Sequence, residues 1–210
     1  MSIEIEAKIK CDKSILTMAE KISKAIEPVY PFKDDPTIAT TKDWYLYPPD
    51  DSPAARFREE YVSQIKSNKQ EMKTFFTTKR KAIVNGIEQN LEDEIEIQDK
   101  AAEMAKYTAQ GYTDIGYVKV KSGLAFKFLN GMSIRVEAVL AQRASDNVLL
   151  GNYYEIEQVL STEASQEDVL EARKLIENVI ALLGYTLKDT EPRSWKELCA
   201  QALENHKREI

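Results

Sequence analysis

Charged side chains two residues apart recur along this sequence, and pairs of this kind can bind phosphates or metal ions. Five such pairs stand out: Glu4/Glu6, Arg56/Arg58, Glu94/Glu96, Lys119/Lys121 and Glu155/Glu157. Glutamates supply the hard oxygen ligands that Mg²⁺ and Mn²⁺ prefer, whereas arginine and lysine hold phosphate oxygens. Acidic and basic pairs fall on separate segments, and together they suit a polyanion that is bound with divalent cations.

The composition excludes several other kinds of chemistry. The single histidine, His206, lies in the charged C-terminal tail, so neither a histidine base for a serine or cysteine nucleophile nor a histidine zinc site is credible. The sequence has no G-x-x-x-x-G-K-[ST] phosphate loop and no G-x-G-x-x-G motif. Carboxylates, lysines and arginines must therefore perform any catalysis.

Charge and cysteine content indicate the compartment and the partners. A formal net charge of -6 argues against non-specific binding to nucleic acid or to an anionic membrane. No apolar run is long enough to span a bilayer, and Glu4 and Glu6 stand where a signal peptide would be apolar. Cys11 and Cys199 are most simply two reduced thiols. We therefore expect a cytoplasmic protein.

The first ten residues show how a strand would position the charges. Glu4, Glu6 and Lys8 share one parity, while Ile5 and Ile9 belong to the other, which is the alternation of a strand with one polar and one apolar face. Such a polar face could simply contact solvent, or it could line a cavity. Recurrence of the pattern along the chain decides between these interpretations.

The remaining elements follow from periodicity and turn residues. We predict further strands over residues 42–47, 54–61, 72–81, 91–97, 113–121, 124–129, 132–140 and 153–160. We predict helices over residues 12–26, 101–110, 165–183 and 195–207, the first capped by Asp12 and the third by a Ser165/Asp168 capping box. Turns are expected at Asn85–Gly86, Ser122–Gly123 and Asn130–Gly131, and residues 62–71 are expected to form a loop.

The charged strands favour one architecture. Their opposite faces are apolar, as if covered by helices, and acidic strands are segregated from basic strands. Closing the sheet with its charged faces inward gives an α+β fold, a closed antiparallel β-barrel with a charged lumen and peripheral helices. A sheet with one solvent-facing polar side remains the alternative at this point.

The motifs, in their order, resemble those of the CYTH superfamily, the triphosphate tunnel metalloenzymes, over essentially the whole chain. Glu4-x-Glu6-x-Lys8 is similar to the E-x-E-x-K signature of that family. The later matches are Arg56-Phe57-Arg58 with R-x-R, Thr77-Thr78-Lys79-Arg80 with T-x-K, Glu94-Ile95-Glu96 with the middle E-x-E, Lys119-Val120-Lys121 with K-x-R, GNYYEIE (151–157) with the last acidic strand, and Arg193-Ser194-Trp195 with R-S-Y. The resemblance implies one CYTH-like domain over residues 1–210, with C-terminal helices 165–207 packed on the barrel.

Site roles follow from the resemblance, position by position. The implied ligands of Mg²⁺ or Mn²⁺ are Glu4, Glu6, Glu137, Glu155 and Glu157. The implied substrate-binding residues are Lys8, Arg56, Arg58, Lys79, Lys119, Lys121 and Arg135. The implied catalytic residues are Lys8 and Lys79, together with Glu94 and Glu96 near the cations or an attacking water. Two departures are visible: Lys121 replaces the usual arginine, and Arg135 or Glu137 occupies the region of an aspartate that usually precedes the last acidic strand.

Three functions remain open from the sequence. The leading one is metal-dependent hydrolysis of a small triphosphate molecule, such as inorganic tripolyphosphate, thiamine triphosphate or a nucleoside triphosphate. The second is cyclisation of ATP to cyclic AMP and pyrophosphate, as in class IV adenylyl cyclases, where the ribose 3′-hydroxyl attacks instead of water. The third is a non-catalytic polyphosphate-binding module. Neither nucleic acid nor membrane is expected as a partner, and a homodimer is possible.

Overall fold

The computed structural model describes residues 1–50, 54–67, 69–84, 87–130, 132–144 and 148–208. Within these residues the strands are β1 (Ser2–Cys11), β2 (Thr37–Tyr47), β3 (Ala54–Gln64), β4 (Gln70–Val84), β5 (Ile87–Glu96), β6 (Thr113–Asn130), β7 (Met132–Arg143) and β8 (Val148–Ser161). The helices are α1 (Ile15–Ile26), α2 (Lys100–Ala109), α3 (Gln166–Leu182) and α4 (Trp195–Arg208), with a 3₁₀ turn at Leu187–Asp189.

The strands form one closed antiparallel barrel in the order β1-β5-β4-β3-β2-β6-β7-β8. The ring closes because β1 pairs with both β5 and β8, so no strand edge is left open. The predicted fold class, an α+β protein with a closed antiparallel barrel and peripheral helices, is confirmed. The alternative of an open sheet with a solvent-facing charged side is wrong, because closure turns the charged faces toward a lumen.

Strand alternation sorts polar from apolar side chains between the two faces of the barrel wall. On β1, Ile5 and Ile9 are fully buried outside the wall, in the core that the barrel shares with α1 and α3. In α1, Met18, Ile22 and Ile26 recur at helical spacing and are fully buried in that core. Burying these residues outside the barrel leaves the charged parity of β1 to line the lumen.

Local signals at the helix ends were only partly correct. Helix α1 is capped by Ser14, whose hydroxyl accepts a hydrogen bond from the Thr17 amide at 3.2 Å; Asp12, the predicted cap, lies two residues too early. The capping box that joins Ser165 and Asp168 at the start of α3 is confirmed. Among the described helices, none is long and apolar enough to cross a bilayer.

Helix α4 covers one end of the barrel. Trp195, Leu198 and Cys199 of this helix pack against Val139 and Tyr153, which lie on the same strand faces as the charged residues of β7 and β8. The helix therefore contributes side chains to the lumen itself. The assignment of residues 1–210 to a single domain, with C-terminal helices 165–207 packed on the barrel, stays a prediction.

The turn predicted at Ser122–Gly123 is wrong, since β6 is one continuous strand of 18 residues. Ser122 pairs with both Thr40 and Leu140, so the ladder is unbroken there. A Cβ atom at Gly123 would lie 1.9 Å from the Ala138 carbonyl oxygen. This glycine permits close approach of β6 and β7, which is a second reason for glycine in a strand besides a turn.

The loop predicted over residues 62–71 is also wrong in extent. Strand β3 continues to Gln64 and β4 starts at Gln70, with Val62 paired to Glu71. Between Glu137 and Glu155, the chain likewise extends two strands, β7 to Arg143 and β8 from Val148. The turn residues predicted at 85–86, and Gly131, lie outside the described residues, but the strands beside them pair as hairpins.

Candidate active site

A cavity with about 200 Å³ of space for water-sized molecules occupies the lumen. Its basic lining residues are Lys8, Arg56, Arg58, Lys79, Lys81, Lys121 and Lys196. Its acidic lining residues are Glu4, Glu6, Glu88, Glu155 and Glu157. Tyr45, Ser194 and the first two residues of α4, Trp195 and Lys196, complete the lining. The cavity thus combines cationic groups with carboxylates in a space enclosed by the barrel.

Most of the predicted site residues converge on this cavity. Those that line it are Glu4, Glu6, Lys8, Arg56, Arg58, Lys79, Lys121, Glu155 and Glu157. Those that do not line it are Glu94, Glu96, Lys119, Arg135 and Glu137. The second group is held by contacts elsewhere in the barrel.

Two predicted catalytic residues lie apart from the cavity. Glu94 accepts hydrogen bonds from Arg56 at 3.1 Å and from Thr77 at 2.8 Å. Glu96 is about half exposed and lies 3.7 Å from Lys73 near the end of β5. The geometry therefore lends no support to Glu96 as a catalytic group, and Glu94 contacts the cavity only through Arg56.

Lysines neutralise the acidic side of the cavity. The Lys79 Nζ atom lies 2.7 Å from Glu4, 3.0 Å from Glu92 and 3.5 Å from Glu6. The Lys8 Nζ atom lies 3.1 Å from Glu6. Burial alone would raise the pKa of Glu6, but Lys79 and Lys8 outweigh burial and hold that pKa well below its usual value. Glu6 is therefore ionised within the barrel wall.

Glu157 differs from its neighbours because it has no such partner. It lies directly opposite Glu6 across the β1–β8 pair, and among the described residues no cation lies within 4.0 Å of its carboxylate. Burial raises the pKa of Glu157, and the nearby Glu137 and Glu6 carboxylates add to the rise against the pull of Arg135. Among the described residues, Glu157 is therefore the one carboxylate of the cavity lining that no lysine or arginine pairs within 4.0 Å.

Lys121, Glu137 and Glu155 form a second cluster, on β6, β7 and β8. The Lys121 Nζ atom lies 2.9 Å from Glu137 and is also paired with Glu155, which is opposite Glu137 in register. Arg135 lies 2.5 Å from Glu137. Burial raises the pKa of Glu137, yet Arg135 and Lys121 hold it well below its usual value. Glu137 thus lies beside Glu155, in the region where the family's aspartate is expected.

The carboxylates are of the chemical type that binds a divalent cation. Glu4, Glu6 and Glu157 lie on neighbouring positions of β1 and β8 and offer the oxygen ligands that Mg²⁺ and Mn²⁺ prefer. Within the described ranges, however, no three carboxylate, histidine or cysteine side chains converge closely enough to enclose an ion. Lys79 occupies the space beside Glu4 and Glu6, so a cation at these oxygens requires that Lys79 move.

Sequence reasoning did not identify two residues of β5, Glu88 and Asn90, as members of the site. The Glu88 carboxylate lies 2.8 Å from Lys8 and 2.9 Å from Lys81, and Asn90 donates to Glu4 at 3.2 Å. These two residues continue the parity of Glu92 and Glu94 toward the N-terminus. The available signal was the turn at 85–86, after which a strand should restart at once, whereas the predicted strand began at residue 91.

Trp195 and Asp43 were also missed as site residues. The Trp195 indole N–H donates to Glu155 at 2.7 Å, which ties α4 to the acidic wall. Asp43 is fully buried and pairs with Arg58 and Lys119 at 2.8 and 2.7 Å. Asp43 had a sequence signal, a lone carboxylate among aromatic residues on a predicted strand. The sequence near Trp195 gave no signal for its hydrogen bond to Glu155, because the two residues are 40 positions apart and meet only in the folded chain.

The described strands form a closed antiparallel barrel with a lumen of lysines, arginines and glutamates. The resemblance predicted from the motifs is confirmed at the level of the fold, a closed tunnel-like barrel.

Comparisons with known proteins agree with this fold. No protein-family model matches the chain, and no curated protein sequence matches it either. A solved structure from Pyrococcus horikoshii superposes with a TM-score of 0.60 at 20% identity, over 93% of this chain and 97% of that chain. A proposed adenylate cyclase from Vibrio parahaemolyticus gives a TM-score of 0.52 at 12% identity, over 93% and 97% of the two chains. The RNA triphosphatase domain of a mimivirus mRNA capping enzyme gives 0.51 at 12% identity, over 86% and 88%.

Proposed function

We propose that this protein binds a small triphosphate-containing molecule together with Mg²⁺ or Mn²⁺ in its tunnel and hydrolyses it. The observation that carries the proposal is the lining of the cavity: phosphate-binding cations stand beside a carboxylate, Glu157, that no lysine or arginine among the described residues pairs. A pure polyanion-binding module would gain nothing from an unpaired carboxylate in its binding cavity. A divalent cation bound there would give Glu157 a role.

The basic residues supply the phosphate contacts. Arg56 and Arg58 project from β3 into the cavity, and arginine forks bind phosphate oxygens in pairs. Lys121 lies on β6, and Lys8 and Lys79 lie beside the acidic residues of β1. Triphosphate oxygens held between these side chains would have most of their charge neutralised, as phosphoryl transfer requires.

Lys79 links the two halves of the site. Its ammonium group is shared among Glu4, Glu6 and Glu92. When Lys79 turns from Glu4 to a phosphate oxygen, the Glu4 carboxylate is freed for a cation, so entry of polyanion and cation together keeps the buried charges balanced. Both partners should therefore bind more tightly together than either does alone.

The chemical step is attack of water on the terminal phosphorus, which breaks a phosphoanhydride bond and releases phosphate. A divalent cation held by Glu4, Glu6 and Glu157, with Glu155 and Glu137 nearby, would polarise the phosphate under attack. Lys8 and Lys79 would neutralise charge on the phosphate oxygens. No nucleophilic side chain is needed, which agrees with the absence of a catalytic histidine.

The choice between hydrolysis and cyclisation rests on the mouth of the cavity. Trp195 lies there with its N–H bonded to Glu155, the Lys119 ammonium 5.2 Å from its ring centre, and the Tyr153 ring 4.8 Å away in an edge arrangement. These contacts and the burial of Trp195 leave little of the indole surface for stacking on a nucleobase. The arrangement therefore supports hydrolysis of a triphosphate without a base, such as tripolyphosphate, over cyclisation of ATP.

A substrate screen tests the proposal. Tripolyphosphate, thiamine triphosphate, ATP and GTP are each incubated with the protein and Mg²⁺, Mn²⁺ or chelator, and both phosphate and cyclic nucleotide are measured. We expect metal-dependent phosphate release from at least one substrate. Cyclic AMP without phosphate release would establish the cyclase instead, and tight tripolyphosphate binding without any product would establish a binding module. The cytoplasmic location, the lack of nucleic-acid or membrane partners and the possible homodimer stay predictions.

A further inference from the structure

Asp43 lies at the centre of a buried group of charges beside the cavity. Its carboxylate accepts two hydrogen bonds from one edge of the Arg58 guanidinium, from Nε at 2.8 Å and from Nη2 at 3.0 Å. The Lys119 Nζ atom lies 2.7 Å from the same carboxylate. The register of β2 explains this grouping, because Asp43 is directly opposite Arg58 on β3 and opposite Lys119 on β6.

Lys119 is closed off from the cavity. Its side chain has 0% exposure, lies between Asp43 and the ring of Trp195, and does not line the cavity that Arg58 and Lys121 line. Burial lowers the pKa of Lys119 to about 8, against the opposing effect of Asp43. By contrast, the carboxylates around Lys79 raise the pKa of that cavity lysine well above its usual value despite its burial.

We propose that Asp43 and Lys119 form a buried support that positions the Arg58 guanidinium toward the substrate, and that Lys119 is not itself a ligand of the substrate. The inference rests on the proposed function, in which Arg58 binds phosphate. It replaces the substrate-binding role that the motif resemblance implied for Lys119.

The chemistry of arginine explains the support. A guanidinium has five N–H donors, and Asp43 occupies two of them on one edge. The remaining donors of Arg58 are then held in one orientation, so phosphate binding need not order a free side chain. Lys119 offsets the charge of Asp43, so the group of Asp43, Arg58 and Lys119 presents one net positive charge to the substrate when Lys119 is protonated.

The test is a set of tripolyphosphate titrations by calorimetry in the presence of Mn²⁺. A positioning role requires that Asp43 act through Arg58. We expect Asp43→Asn to weaken binding about three- to tenfold in the wild-type background, the scale of ordering one long side chain. In the Arg58→Ala background the same change should alter the dissociation constant by less than about twofold. Equal weakening in both backgrounds would overturn the proposal.

Lys119 is tested against Lys121, its neighbour on the same strand face. Lys119→Met in the Asp43→Asn background removes a charge without leaving a buried carboxylate unpaired, and it should change affinity less than about twofold. Lys121→Met should weaken binding more than about tenfold, as for loss of a charge-assisted contact. Weakening by Lys119→Met that matches Lys121→Met would show that Lys119 binds substrate and would sink the proposal.

Folding and function are separated within the same experiment. Melting curves confirm that each variant is folded at the assay temperature. If Asp43→Asn alone is not, the Asp43→Asn/Lys119→Met double variant replaces it in both Arg58 backgrounds with the same expectations. Failure of the wild type to bind tripolyphosphate or any other triphosphate of the substrate screen would overturn the proposed function, and this inference with it. Binding by the wild type with an unchanged Asp43 effect in Arg58→Ala would overturn this inference alone.

Discussion

Glu157→Gln is the most informative single change in the acidic wall. The Glu157 carboxylate faces Glu6 across the β1–β8 pair, and no described cation lies within ion-pair distance of it. Glutamine keeps the size and polarity of the side chain but removes one negative charge. In the metal-free protein the substitution should raise the melting temperature or leave it unchanged, because it relieves repulsion between buried carboxylates.

The response to Mn²⁺ should change in the opposite sense. A ligand that binds only the folded state stabilises it by about 2.7 kcal/mol at a hundredfold excess over its dissociation constant. For a chain of 210 residues, each kcal/mol moves the melting temperature by about 2–4 °C. The wild type should therefore gain about 5–11 °C. If loss of one carboxylate ligand weakens the metal about a hundredfold, the variant gains only about 0.4 kcal/mol, or about 1–2 °C.

Scanning calorimetry with and without Mn²⁺, beside a phosphate-release assay, measures both effects. Glu177→Gln is the matched control, because Glu177 is exposed on α3, outside the barrel. We expect the control to keep the full Mn²⁺ shift and full activity, and Glu157→Gln to lose both. A full Mn²⁺ shift in Glu157→Gln would refute the metal site on β8, and an equally blunted shift in Glu177→Gln would show that the effect is not specific.

Three further predictions concern other parts of the molecule. Arg56→Ala should weaken tripolyphosphate binding by about 2–3 kcal/mol in a calorimetric titration while the protein stays folded, and unchanged affinity would contradict the phosphate role of Arg56. The free energy of unfolding, from urea titrations at pH 8 to 10, should rise more steeply with pH in the wild type than in Lys119→Met. The pKa of Lys119 in the folded state, about 8, lies below its value in the unfolded state, so the unfolded state binds more protons over this range. Equal slopes would contradict the burial of a charged Lys119. Ser165→Ala should cost about 1 kcal/mol of stability by chemical denaturation, because the α3 cap is lost, with phosphate release unchanged.

Strand parity was readable from the sequence because the barrel has two different environments. Alternation put Ile5 and Ile9 on the apolar face of β1 and the charges between them on the other face, and closure of the barrel then turns that charged face inward. The same logic placed Arg56, Arg58 and Lys79 on the lumen side. This rule gives the face of each strand, whereas the candidate site residues and their roles came from the motif resemblance.

Depth along the barrel axis was not readable, because parity gives the face of a strand and not the level at which a residue lies. Lys119 and Lys121 share a face, yet only Lys121 lines the cavity, since Trp195 and Asp43 enclose Lys119. Glycine signals are similarly ambiguous. Gly123 was interpreted as a turn, but it permits close contact between two paired strands.

Structure determination of crystals soaked with tripolyphosphate and Mn²⁺ tests the central claim most directly. We predict the anion inside the lumen, with its oxygens contacting Arg56 and Arg58, Mn²⁺ near Glu157, and the Lys79 ammonium moved away from Glu4. Tripolyphosphate bound on the outer surface, or a lumen in which Lys79 still pairs with Glu4 and no ligand density appears, would contradict the claim that this barrel is a triphosphate tunnel in function.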